Sequence, residues 1–414
     1  MKKPIILILL YAFIDVLGFT LILPLLPYYA ATFDASPALV GLLLASNAAT
    51  QLIGAPLLGR LSDRYGRKPM LVVSIAGTAI SFAMLGLANS LWMLFASRLL
   101  DGLLGGDISL AQAYITDVTQ NEERAKGLGL VGAAFGIGFI FGPVLGGVLS
   151  AGDNYARPAL IAATLALINL LGVLFVLPES LPAEERSKRA QSPATAPTAR
   201  ALWQALRRPC VGPLLSYRLF YGLAFTLFQT LFSLFVQKRL ALNAQTTSYI
   251  FTYVGVLIAL VQGVGVALLI KRYKDKQLLF VSTIVMAISL LAWAFTPNVW
   301  VLLIILAPIA VSGGVAGIVG SSALSKSVAP EEVGGTLGLG AALDGLTRVA
   351  APIAGGALID ALGAPAPGVA GALIMAGLII FTQRRILAVP DYECPAPATL
   401  DGEPSPDAQP SAAS

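Results

Sequence analysis

The chain has 414 residues, 57% of them hydrophobic and 12% charged, with a mean hydropathy of +0.80, a balance that excludes a soluble fold of this length and marks an integral membrane protein. Its net charge of +5 falls in short loops rather than in basic patches interleaved with aromatics, which excludes nucleic acid as the partner. Two cysteines, Cys210 and Cys394, build neither a disulfide framework nor a thiolate metal site, and with no histidine any proton traffic runs through carboxylates.

A window of about 19 residues finds twelve apolar segments, at 5–27, 38–58, 70–89, 91–115, 128–150, 159–177, 213–236, 246–270, 278–296, 298–323, 334–359 and 366–388. Segment one follows Met1-Lys2-Lys3, but it is too long for a signal peptide and lacks a small-residue cleavage site, so it is expected to stay in the membrane. It carries Asp15, Gly18, Pro24 and Pro27. Between segments two and three lies Gly59-Arg60-Leu61-Ser62-Asp63-Arg64-Tyr65-Gly66-Arg67-Lys68-Pro69, read as a hairpin loop whose glycines turn and whose cations hold it on the positive side of the membrane. A solvated charge run would account for the basic residues of that loop but not for Asp63 among them.

Segment four holds Arg98, Asp101, Gly102, Gly105-Gly106, Asp107 and Gln112, with Asp117 at its end. Segment five places Gly138, Gly142 and Gly146 on one helix face, beside Pro143, so that a second backbone can pack closely there. Residues 178–212 are rich in charge, Pro, Ala and Thr and read as a linker. Segment seven carries Tyr217, Tyr221, Phe225 and Gln229 at spacings of four, which serve either ordinary packing or the stacking of a flat substrate. Residues 390–414 read as a disordered tail. The side of the N-terminus collects 21 Lys and Arg residues and the other side three, which places both termini in the cytoplasm.

Charges inside the segments cost about 3 kcal/mol or more each unless wet or paired. Asp15, Asp101, Asp107 and Asp344 are such acids, and Arg98 and Arg348 such cations. Arg98 with Asp101 and Asp344 with Arg348 stand three and four residues apart, so each couple is expected to share a face and neutralise itself. Asp15 has no cation in its own segment.

Shifting the sequence by 209 residues lays Glu122-Glu123 on Glu331-Glu332, Gly129-Leu130 on Gly338-Leu339, Gly136 on Gly345, Pro143 on Pro352 and Gly146-Gly147 on Gly355-Gly356. The expectation is an all-α membrane protein of two pseudo-symmetric six-helix bundles, 1–178 and 213–389, joined by a linker at 179–212 and followed by the tail at 390–414.

The 59–69 loop resembles that of the major facilitator superfamily of secondary transporters, Gly-x-Leu-Ser/Ala-Asp-Arg-x-Gly-Arg-Lys between helices two and three. Segment five is similar to the Gly-x-x-x-Gly-Pro-x-x-Gly-Gly pattern of its drug antiporters. Segment four resembles its Arg-x-x-x-Gly-x-x-Gly motif, and the Asp15 region its helix-one pattern. The resemblance, nearest to the tetracycline and multidrug branch, implies proton-coupled efflux of amphipathic drugs by alternating access. It also implies a monomer in the cell (inner) membrane whose partners are a small molecule, protons and lipid, with no cofactor.

By the same resemblance Arg98 is a proton-coupling candidate, and the intramembrane acids Asp15, Asp101 and Asp344 join it because a carboxylate switched between a cation and dry apolar surroundings can carry a proton. Gly59, Asp63, Arg64, Gly66, Arg67, Asp117, Gly142 and Pro143 would gate, Asp63 by meeting the other bundle. Helix seven lines the cavity of the superfamily, so Tyr221, Phe225 and Gln229, with Asn47, Gln51 and Gln112, would meet substrate and Asp107 a cationic centre. The competing reading is a proton symporter importing a small sugar or organic acid, against which the segment-five pattern counts. No Ser/His pair, HExxH, P-loop or Cys cluster supports an enzyme.

Overall fold

The computed structural model describes residues 3–105, 107–182, 185–186 and 199–388. Lipid offers a backbone no hydrogen-bond partner, so each apolar segment closes its own bonds as a helix, and no strand occurs among the described residues. In chain order the first half holds α1 (Lys3–Ile22), α2 (Leu26–Ala31), α3 (Pro37–Tyr65), α4 (Arg67–Gly86), α5 (Leu91–Leu104), α6 (Asp107–Val118), α7 (Asn121–Leu149) and α8 (Ala156–Val176). A short helix, α9 (Ala199–Arg207), leads to α10 (Val211–Leu240), α11 (Ala244–Leu260), α12 (Val266–Arg272), α13 (Asp275–Ala294), α14 (Val299–Lys326), α15 (Val333–Leu362) and α16 (Ala366–Thr382). A π-turn at Val261–Gly265 joins α11 to α12. Part of the sequence-read linker and the tail beyond 388 lie outside the described residues.

Among the described residues, eleven helices are long and apolar enough to cross a membrane. The twelfth crossing is α5 with α6, broken at Gly105. The break frees carbonyls in the membrane, and side chains satisfy them: Ser74 Oγ donates to the Leu104 carbonyl at 2.5 Å and Gln51 Nε2 to that of Gly105 at 3.3 Å. Segment one is also broken, because Pro24 and Pro27 end α1 at Ile22 and start α2.

The basic segment at 59–69 departs from the hairpin loop expected of it. α3 runs through Gly59 to Tyr65, so only Gly66 turns the chain, at φ +109°. A side-chain-bearing residue rarely adopts that φ.

α1 packs on α7 and α8, α4 on α5 and α8, and α3 on α5; in the second half α10 packs on α15 and α16, and α13 on α14 and α16. Across the halves, α3 meets α15 and α7 meets α11. One apolar cluster belongs to the first half (Ile8, Tyr11, Leu71, Tyr114) and another to the second (Phe235, Met286, Trp293, Met375). A third mixes Leu21, Leu43 and Leu85 with Leu231, Ala351 and Ile359, at the end of the molecule away from α9. The halves are therefore joined at one end.

Candidate functional site

At the end bearing α9, called here the linker end, Arg67 opens α4 and is buried. Its Nη2 meets Asp63 at 2.8 Å, its Nε donates to Asp117 at 2.9 Å and its Nη1 to Ser62 Oγ. The Asp117 side chain is 6% exposed and that of Asp63 39%. Asp63 thus pairs within its own half, while Arg64 is exposed and lies over the Tyr65 ring.

The sequence reading passed over Glu179, whose carboxylate accepts the Arg67 N–H at 2.9 Å and the Lys68 N–H at 3.3 Å. An anion there satisfies orphan donors at the start of α4. Arg186 pairs with Glu179 at 3.5 Å and donates to the Tyr65 carbonyl at 3.3 Å. A Cβ on Gly66 would strike the Glu179 carboxylate.

In the membrane-embedded part, Arg98 and Asp101 pair as expected, at 3.3 Å, with 3% and 8% of each residue exposed. Asn47 Nδ2 donates to the same Asp101 oxygen at 2.9 Å, which places Asn47 in the charge cluster. The Arg98 guanidinium lies 5.5 Å from the Phe82 ring centre. A Cβ on Gly18 would come within 3.0 Å of that ring, so Phe82 fills the space between Arg98 and α1 at that level. Asp15, one turn before Gly18, is half-buried.

The second expected couple does not form. Asp344 is taken by Arg218 of α10, with Nε donating to Oδ1 at 3.0 Å and Nη2 to Oδ2 at 2.6 Å, while Nη1 reaches Ser321 at 3.1 Å. A planar fork that matches both carboxylate oxygens outcompetes an i, i+4 neighbour on the same helix. Arg348 is left exposed. Arg218, a cation five residues inside segment seven, was the overlooked signal.

The glycine face of α7 meets the α1 backbone. Thr20 Oγ1 donates to the Gly138 carbonyl at 2.9 Å, and side chains at Gly142 or Gly146 would collide with Thr20 or Leu21. Pro143 frees the Phe139 carbonyl, which stands 3.1 Å from where a Cβ of Gly255 on α11 would be.

Contacts between the halves show a splay. Side chains at Gly41 or Gly356 would collide across the α3–α15 contact, and Tyr28 bonds Thr247 at 2.6 Å and the Leu242 carbonyl at 2.9 Å. Toward the linker end the same faces part. Gly59 repeats the face of Gly41 and Leu52, and Gly334 and Gly338 that of Gly345 and Gly356, yet no described residue stands within 4 Å of where their Cβ atoms would be. Gly129 and Gly136, on the α7 face that carries Gly147 to α11, are likewise open. A cavity between the halves opens at the linker end.

Deep in it, Phe139 of α7, Phe225, Phe228, Gln229 and Phe232 of α10, and Phe251 of α11 line an apolar, aromatic pocket, the kind of wall against which a flat organic molecule stacks. Phe228 and Phe232 lie 5.6 Å apart edge-on, as Phe232 and Phe251 do at 5.3 Å. Of the expected substrate residues, Phe225 and Gln229 are in this wall. Tyr221 is not: it is 6% exposed and stacked 5.4 Å from Tyr217 in the core of the second half. A spacing of four drifts about 40° per step on a helix of 3.6 residues per turn, so the stripe rotates from the core into the cavity along its length. Gln51 is occupied at the Gly105 break, Gln112 is exposed on α6, and the Asp107 side chain lies outside the described residues.

The family profile of the Major Facilitator Superfamily matches residues 8–268 and 214–397. The tetracycline resistance protein, class C, of Escherichia coli is 33% identical over 343 residues, covering 82% of this chain and 85% of that protein. The class D protein of Salmonella ordonez is 32% identical over 358 residues, covering 85% of this chain and 89% of its own. Among solved structures, the nucleoside transporter NupG superposes with a TM-score of 0.76 at 15% identity, over 93% of this chain and 99% of its own, a likeness of fold.

Proposed function

This chain belongs to the major facilitator superfamily, and on that premise we propose that it exports amphipathic drugs, tetracycline-like compounds among them, in exchange for protons. The observation that carries the reading is the aromatic pocket beside faces that part toward the linker end and pack together at the other. The names of the class C and class D relatives support drug efflux. The 21 cations against three put the linker end in the cytoplasm, so drug loads from inside the cell.

Alternating access then requires the parted faces to meet. Gly59 would close on Gly334 and Gly338 while Gly41 leaves Gly356 and Tyr28 leaves Thr247. The Tyr28 bond is worth about 1 kcal/mol net, small enough for a ligand's differential affinity to overcome. Asp63 and Asp117, sharing Arg67, hold the cytoplasmic latch in one half until Asp63 meets the other. Proton coupling falls to Asp15, the Arg98–Asp101 pair and Asp344. A proton on an acid cancels its attraction to the partner cation, and the two states respond by the difference in that attraction.

The test is tetracycline uptake by everted membrane vesicles energised with respiration. Accumulation that a protonophore collapses is expected. Accumulation indifferent to the protonophore would remove proton coupling from the reading, and none for any amphipathic drug would remove export.

A further inference from the structure

Arg98, Arg218 and Arg348 lie well inside the apolar segments 91–115, 213–236 and 334–359. An arginine at such depth costs about 3 kcal/mol or more unless a partner or a wet cavity offsets it. Arg98 has Asp101, and Arg218 has both oxygens of Asp344. Arg348 is exposed and makes no hydrogen bond, ion pair or ring contact with any described residue.

Its direction follows from its neighbours on α15. Gly345 meets Leu52 of α3, as Gly356 meets Gly41. Asp344, Thr347 and Gly355 meet α10, at Arg218, Thr226 and Leu231. Leu346 and Ile353, 50% and 41% exposed, mark the lipid side. At about 100° per residue, Arg348 lies about 40° from Asp344, about 60° from Gly345 and about 160° from Leu346. It therefore points between α3 and α10, into the cavity.

Its depth follows from Thr347, whose hydroxyl lies 3.5 Å from that of Thr226 and which also faces Gly222. Arg348 thus stands at the level of Phe225, one turn from Gln229. Asp344 is one turn nearer the linker end and already neutralised, so Arg218, Asp344 and Arg348 together leave one uncompensated positive charge on the wall.

We infer that Arg348 anchors an anionic group of the substrate, so that the site selects flat aromatic acids, with the ring system in the phenylalanine pocket and a carboxylate or other delocalised oxyanion on the guanidinium fork. The inference rests on the reading of that pocket as the drug site. A guanidinium matches such an anion through two parallel N–H bonds, where an amide of the same shape offers no charge.

The test uses the full chain in phosphatidylcholine nanodiscs, where no anionic headgroup competes, with 2-naphthoate and its neutral isostere 2-naphthamide as probes. Charge-assisted bonding predicts that the wild type binds the acid about 10- to 100-fold more tightly than the amide. In Arg348→Gln that ratio falls to about one, and in Arg348→Lys, which keeps the charge and loses the fork, it lies between. Amide binding reports that each variant is folded. Equal affinity of the wild type for the two probes, or a ratio that survives Arg348→Gln, overturns the inference. Phe225→Ala separates it from the pocket reading, because loss of both probes in that variant supports the pocket whatever the ratio. A ratio that depends on Arg348 while Phe225→Ala weakens neither probe would keep the anion site and discard the pocket.

Discussion

Replacing Asp101 by leucine is expected to destabilise the protein more than replacing Arg98 by methionine, and more than making both changes together. Asp101→Leu strands a guanidinium in a residue 3% exposed, left with the Ser97 hydroxyl at 3.4 Å and the Phe82 ring at 5.5 Å. An uncompensated buried charge costs about 3–5 kcal/mol, and arginine does not shed its proton. The ring returns about 1–2 kcal/mol of that. Arg98→Met leaves Asp101 with the Asn47 amide at 2.9 Å, and a carboxylate has an escape, since it takes up a proton. Its cost is set at about 1–3 kcal/mol. The double variant removes both charges and keeps apolar volume, leaving mainly one Asn47 N–H without its acceptor while the backbone carbonyl of residue 98 keeps the amide at 3.3 Å, a cost of about 1–2 kcal/mol.

The assay is the fraction of protein surviving graded heating as a monodisperse species in detergent, ranked across the four proteins. The double-variant cycle gives the coupling. If Asp101→Leu is as stable as the double variant, the pair carries no net interaction and the reasoning fails. In vesicles the double variant is further expected to equilibrate drug passively without accumulating it, and full active efflux would assign Arg98 and Asp101 a structural role only.

Asp15→Asn is expected to abolish protonophore-sensitive accumulation while drug binding persists, and wild-type coupled uptake would clear Asp15 of the proton. Gly59→Leu fills the open face of α3 and should leave binding from the linker side intact while stopping transport; turnover at the wild-type rate would show that this face never closes on α15. Glu179→Ala removes the acceptor of the Arg67 and Lys68 N–H groups, worth about 1 kcal/mol, and should speed hydrogen exchange at those amides; unchanged exchange would deny the cap. Gly66→Ala meets both the strained φ and the Glu179 carboxylate, so it should express below the level of Glu179→Ala.

The sequence determined what depends on local composition. Runs of about 20 apolar residues have no low-energy form in lipid other than a helix, and the glycines at 138, 142 and 146 announced a close contact before its partner, α1, was known. Arg98 and Asp101 were legible as a couple because three residues of helix bring them together. The same rule misjudged Asp344, whose better partner, Arg218, lies 126 positions away and competes only after α10 and α15 pack. Phe139, Phe228, Phe232 and Phe251 look like ordinary apolar residues until three helices bring them around one space. The break at Gly105 likewise depends on Gln51 and Ser74 arriving from other helices to take its freed carbonyls. Periodicity reports what one helix does with its own neighbours, whereas the pocket, the Arg218 pair and the exposed Arg348 are set by which faces meet, information carried only by the tertiary structure.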